Sequence, residues 1–465
     1  QICSIPHPSG HEAALRDFLI SEAEKHHLAY RVDTAGNLAI DRAAAPGCEN
    51  YPSIILQAHL DMVPQTAPGA EFDFLRDPIR PIVEGDWVTT GGKTTLGADD
   101  GIAVAYALAL LADRSIPHPP LEVIITVDEE IGMLGADAID LSMLQGRTLL
   151  NLDSEDEGIF TVSCAGGARA TIHLPVTRRV AYGPCVKLTV EGLKGGHSGV
   201  EIHQNRANAN KVMGEFLSRV QKLMPLSITS ISGGSKDNAI PRSCEASMVA
   251  MGMNLEQIND VAAALQAEIR ANFDEPEAIV RGDSVDALGG NALSCEDTDK
   301  VIALLQEVPN GVQSWSEDIP GLVQTSLNLG ILNMDESLSM TFALRSSSNL
   351  EKKELAEKLE AIAESYGAEC IHRGMYPAWE YRKDSPLRDT MVQVYEKMFG
   401  AKPQVVAIHA GLECGIISGK YPEMDMISFG PSIFHPHSPN EKVDIASVGR
   451  FWQYLVYTLE NAPSL

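Results

Sequence analysis

Basic residues are scarce in this chain. Of its 465 residues, 36 are Lys or Arg against 63 Asp or Glu, a formal net charge of −27. A field of that sign repels phosphate, so nucleic acid is not an expected partner. It also disfavours docking on anionic lipid. Long hydrophobic runs are missing as well. The longest uninterrupted apolar stretch, residues 102–112, falls far short of the ~20 residues that span a bilayer, so no membrane association is expected. The eight cysteines (Cys3, Cys48, Cys164, Cys185, Cys244, Cys295, Cys370, Cys414) are scattered and form no C-x-x-C pair. That usage fits reduced, mostly buried thiols and a cytoplasmic location. No signal-peptide pattern is visible among the first residues. No low-complexity segment interrupts the chain, which argues against beads on a string. There is no G-x-S-x-G elbow, which counts against acyl-enzyme chemistry. No G-K-[ST] follows the glycine-rich stretch around Asp99, which counts against a phosphate loop.

What is present begins with a hydrophobic content of 44 %, enough for a sizeable core. Within the first 160 residues, three short apolar runs end in ligand-type side chains. Residues 53–58 run into His59-Leu60-Asp61, residues 121–127 into Asp128-Glu129-Glu130, and residues 148–152 into Asp153. A helical stretch, 102–112, lies between the first two and follows Asp99-Asp100-Gly101. Continuous apolar strands alternating with helices read as a mostly parallel α/β sheet. Ligand sites in such sheets lie outside the carboxyl ends of the strands.

From about residue 166 to 379 the pattern changes and repeats a plan. Helices at 208–220 and 255–272 enclose strands at 227–232 and 243–251. Helices at 297–307 and 350–366 enclose strands at 323–332 and 337–346. Two β-α-β-β-α-β-like units in tandem suggest an inserted α+β lid of two similar subdomains. From about 380 the α/β reading returns, with a helix at 387–399 and a strand at 424–429 leading towards His435 and His437. The expected organisation is therefore an α/β catalytic domain formed by residues 1–165 and 380–465. The lid domain is inserted at 166–379.

Several residue sets can carry chemistry. Strand alternation places His59 and Asp61 on one side, so Asp61 can accept the second N–H of His59 and fix its tautomer. Asp99-Asp100 at a helix start reads either as an ordinary N-cap or as ligands. Three acids at 128–130 after a buried strand repel one another unless a cation neutralises them, and one can stay off the metal as a base. Either His435 or His437 can offer an imidazole. Glu155, Asp156 and Glu157 read as solvated. Imidazole mixed with carboxylate suits Zn²⁺, Mn²⁺ or Co²⁺ better than Ca²⁺. Acids in excess can hold two ions ~3.5–4 Å apart.

The ordered motifs H-L-D-M-V-P, T-L-G-A-D-D-G, D-E-E-I-G, N-L-D-S-E, G-L-K-G-G-H-S-G and H-P-H-S-P-N-E-K-V resemble those of the M20 family of dinuclear zinc peptidases. The likeness runs along nearly the whole chain. It implies that His59 and Asp153 hold one Zn²⁺, that Glu130 and His437 hold the other, and that Asp99 bridges them, with Mn²⁺ or Co²⁺ as substitutes. The family's bridging acid aligns with Asp99, while Asp100 aligns with a variable position. Asp61 would orient His59, and Glu129 would be the general base towards a metal-bridging water. His197, Asn238 and Arg345 match lid positions linked to substrate binding. The implied activity is hydrolysis of small peptides, dipeptides of the Xaa-His type (β-Ala-His included) among them. The alternatives are a tripeptidase, an N-acyl amino acid deacylase or a carboxypeptidase, and more remotely a non-catalytic metal-binding protein. The lid is the expected surface for a homodimer.

Overall fold

The computed structural model of the protein describes residues 1–252 and 254–461. The chain forms two compact units. One comprises Gln1–Cys164, Tyr381–Ala407 and Leu412–Leu465; the other comprises Ala165–Glu380 and Ile408–Gly411.

The first unit is built on an eight-stranded sheet in the order Ala29–Val32, Leu38–Arg42, Leu121–Thr126, Ile54–His59, Thr148–Asn151, Asp425–Ser428, Ile159–Cys164, Gln404–Ile408. Ile54–His59 pairs in parallel with Leu121–Thr126 on one side and Thr148–Asn151 on the other. Asp425–Ser428 extends the parallel part. Every residue of Ile54–His59 and of Leu121–Thr126 is buried, as both faces of a parallel sheet require. Helix Ala98–Ala112 contributes Ala103, Val104, Ala107, Leu110 and Leu111 to the core of this unit. Because three parallel strands lie side by side, their carboxyl ends share one edge. His59 closes its strand, Glu129 and Glu130 follow Thr126, and Asp153 follows Asn151.

The second unit has its own core and a nine-stranded sheet. One half runs Ile279–Leu293, Arg178–Glu191, Cys244–Ala250, Leu226–Gly233. The other runs Val323–Met334, Ser337–Ser346, Gly166–Pro175, Glu369–Tyr376, with Gly311–Trp315 added beside Val323–Met334. Taken from its outer edge inward, each half shows its fourth, first, third and second strand in chain order. The two halves are thus the same α+β unit twice, and the tandem plan legible in the sequence is a real repeat. They join where Ser232 and Gly233 pair with Asn333 and Leu332. The helices are Ala209–Gln221 and Leu255–Asn272 in one half, Cys295–Glu307 and Asn349–Ser365 in the other. Asn208, Asn254, Ser294 and Ser348 cap them with side-chain oxygens.

Candidate metal centre

The parallel edge of the first unit gathers the charged side chains. His59 is buried, and its Nε2 lies 3.2 Å from Asp99 Oδ1 and 3.5 Å from Asp153 Oδ1. His437 Nε2 lies 3.0 Å from the other oxygen of Asp99 and 2.9 Å from Glu130 Oε1. Asp99 therefore sits between both imidazoles. Burial opposes its ionisation, yet His437 and His59 hold the carboxyl well below its ordinary value. The same contacts with Asp99 and Glu130 push His437 up to about 11. His435, by contrast, belongs to none of the metal-capable groups among the described residues.

Asp61 organises the turn that carries the acids. Its Oδ1 accepts the Glu129 amide hydrogen at 2.9 Å; its Oδ2 accepts that of Glu130 at 3.1 Å and the Ser9 hydroxyl at 2.7 Å. His59 Nδ1 lies 3.0 Å from the Asp61 carbonyl oxygen and 3.5 Å from its Oδ1. The turn begins at Asp128 with φ 53°, a left-handed conformation that turns the chain sharply after the strand. Burial pushes the Glu129 carboxyl well above its ordinary value. His59 pulls it back, and Asp153, Glu413 and Glu130 reinforce the rise.

Among the described residues, three groups of side chains can each hold a metal ion: His59 with Glu129 and Glu130, His59 with Asp100 and Asp153, and Asp99 with Glu130 and His437. The last two share no residue. The donor set fits divalent cations. Carboxyl groups outnumber imidazoles, and uncompensated acids in a buried region repel one another. Glu130 Oε1 is a specific sign. It is buried and faces His437 Nε2 at 2.9 Å. An atom so placed suits a cation between the two groups.

Two participants, Glu413 and the burial of Glu155, were not apparent from the sequence, and Asp100 was left there as either a cap or a ligand. Asp100, at a position the resemblance marks as variable, is buried and accepts the His59 backbone N–H at 3.0 Å. Glu413 is fully buried. Its Oε2 accepts from Gln57 Nε2 and Thr126 Oγ1, and burial pushes it up to about 8. Glu155 is half-buried rather than solvated. Burial, then Asp99 and Asp153, push it up to about 8. Nothing in the spacing of these acids distinguishes them from surface acids.

His197, Asn238 and Arg345 belong to the second unit. His197 lies in a two-stranded ladder, Gly196–His197 with Ala239–Ile240, next to Asn238. Its Nδ1 accepts the amide hydrogens of Gly199 and Val200 at 3.1 and 3.2 Å, which leaves the ring proton on Nε2. Arg345 stands opposite Ser326 in the sheet, and Ser326 Oγ lies 2.7 Å from His409 Nε2. Burial and then the Arg345 charge push His409 down to about 3. Arg345 Nε is buried without a hydrogen-bond partner.

Comparison with known proteins accords with this geometry. The model of peptidase family M20/M25/M40 matches residues 55–461. The chain is 40 % identical to the cytosol non-specific dipeptidase of Escherichia coli (strain K12), over all of this chain and 96 % of that one. The crystal structure of aminoacylhistidine dipeptidase from Vibrio alginolyticus matches with a TM-score of 0.93 and 40 % identity, covering 99 % of this chain and 94 % of that one. Aminopeptidase PepT from Bacillus cereus shares the fold, with a TM-score of 0.56 at 16 % identity over 99 % of this chain and 96 % of that one. With the family's model matched from the first ligand-bearing strand to the end of the last helix, the chain belongs to peptidase family M20/M25/M40.

Proposed function

We propose that the protein is a metal-dependent dipeptidase of the cytoplasm, acting on small peptides that include Xaa-His substrates such as β-Ala-His. The observation that carries the reading is Asp99 held between His59 and His437 at an acid-rich sheet edge. His59 and Asp153 would hold one Zn²⁺, Glu130 and His437 a second, and Asp99 both, with Mn²⁺ or Co²⁺ as substitutes. When bound, the ions supply Lewis acidity to a water and to the scissile carbonyl.

The chain's own residues do the rest. Asp61 fixes the backbone of Glu129 and Glu130, and the two carboxylates are assigned separate roles, Glu130 as ligand and Glu129 as base. Glu129 accepts a proton from the attacking water. It returns that proton to the amine nitrogen as the C–N bond breaks. Arg345, planar and with an unsatisfied buried Nε, suits a free substrate carboxylate. His197, with its proton on Nε2, is assigned as a donor to the substrate, and Asn238 as a neighbouring polar contact. The second unit is also our candidate for a homodimer surface, to be tested by solution mass.

The decisive experiment is hydrolysis of β-Ala-His, Gly-His and other dipeptides with and without chelator, followed by return of Zn²⁺, Mn²⁺ or Co²⁺. Chelator-sensitive cleavage with C-terminal His among the good substrates is expected. No dipeptide cleavage under any ion would move the activity to another amide, with acylated amino acids next.

A further inference from the structure

We infer that Glu441 is a positioning residue for the ion site shared by Asp99 and His437, an inference that rests on the metal reading above. Glu441 is 2 % exposed. Its Oε2 accepts the amide hydrogens of Leu96 and Gly97 at 2.7 and 3.1 Å. Its Oε1 accepts those of Ala98 and Asp99 at 2.8 and 3.3 Å. These donors precede the regular part of helix Ala98–Ala112, because Asp99 and Asp100 have non-helical dihedrals. Four consecutive amides of the turn that leads into the helix thus find their acceptors in one carboxylate.

The other end of Glu441 is anchored in the segment that bears His437. Its amide hydrogen donates to the Ser438 carbonyl at 3.0 Å, and Ser438 Oγ donates to the His435 carbonyl at 2.8 Å. Beyond it, strand Lys442–Asp444 pairs with Trp87–Thr89. Residues 435–441 thus form a tied turn whose last side chain grips the backbone of Asp99. The ligand carboxylate and the ligand imidazole, far apart in sequence, are set relative to each other by this one acid. Outer residues that orient ligands typically change metal affinity about 10–100-fold when removed.

The acceptor geometry gives a sharp test. Each oxygen of Glu441 receives two N–H groups. A Glu441→Gln amide must point its NH₂ at two donors whichever way it is turned. Glu441→Asp keeps both oxygens and the charge but shortens the reach by a methylene. For wild type and both variants, bound ions per chain are counted by equilibrium dialysis against graded Zn²⁺, alongside thermal unfolding of the ion-free proteins. We expect the ion proposed for Glu130, His437 and Asp99 to be held about 10–100-fold more weakly in both variants, and the ion that shares only Asp99 with it to be weakened less. A folded variant that loses thermal stability while binding both ions as wild type does would reduce Glu441 to a structural cap and overturn the inference. Should the Gln variant not fold, the Asp variant decides on the same criterion. Wild-type protein that binds no ion would overturn the metal reading itself.

Discussion

Asp61 holds Glu129 by its backbone: the Glu129 amide hydrogen donates to Asp61 Oδ1 at 2.9 Å, and the next amide donates to Oδ2. The residue expected from strand alternation to serve His59 thus also sets the turn bearing the proposed base. We expect Asp61→Asn to impair both functions, because its amide must turn an NH₂ towards a backbone donor. The kcat of the ion-saturated variant should fall about tenfold or more, with weaker ion binding besides. Unchanged kcat at full ion loading would leave Asp61 without influence on Glu129.

Glu129→Gln should keep both ions and lose turnover. General-base catalysis typically contributes about 100- to 10,000-fold, and kcat should fall within that range. Ion content by dialysis is the control. Glu129 belongs to one of the metal-capable groups, so loss of an ion would reassign it as a ligand.

Arg345→Ala should raise KM for free dipeptides far more than for the same dipeptides as C-terminal amides. A charge-assisted hydrogen bond to a carboxylate is worth about 1.5–3 kcal/mol, roughly ten- to a hundredfold. Equal effects on acids and amides would remove the carboxylate clamp.

Removing ions should lower the unfolding temperature. An ion bound only by the folded chain stabilises it by about 2.7 kcal/mol at a hundred times its Kd. Chelation also leaves Asp99, Asp153 and Glu130 facing one another without a cation. A melting temperature unaffected by chelator would contradict the assigned site.

Acid should weaken the protein through His409. Its folded value, about 3, lies below the ordinary 6.5, because burial and the Arg345 charge disfavour the protonated ring. Below about pH 6.5 the unfolded chain takes up a proton that the folded chain refuses. Unfolding is then favoured by falling pH, and this contribution grows until about pH 3. Denaturant unfolding at pH 7, 5.5 and 4.5 should show that slope, and His409→Gln should flatten it. Equal slopes in the two proteins would show that His409 does not titrate in this way.

The runs before His59, Glu129 and Asp153 were legible because a strand buried on both faces is mostly apolar, with Gln57 and Glu122 among the polar interruptions, and a cluster of charge then marks its end. The tandem helices were legible through their amphipathic spacing, and their starts through Asn and Ser caps. The antiparallel edge Ala29–Val32 with Leu38–Arg42 was not, being short and mixed in polarity. Nor were the roles of Glu413 and Glu441, while Asp100 was marked only as one of a pair that could cap or ligate. Each is an acid beside ordinary loop or helix residues, and its burial comes from partners far along the chain. Gln57 and Glu413 are 356 positions apart, and Leu96 and Glu441 are 345.

That remoteness bears on how the protein comes into being. The contact between Asp99 and His437 spans 338 positions, with the entire second unit encoded in between. During synthesis Asp99 leaves the ribosome well before the segment bearing His437 and Glu441. Closing so long a loop is entropically slow, and non-local contacts of this kind form late in folding. An ion position that needs both Asp99 and His437, as proposed, can therefore be completed only after both have been made.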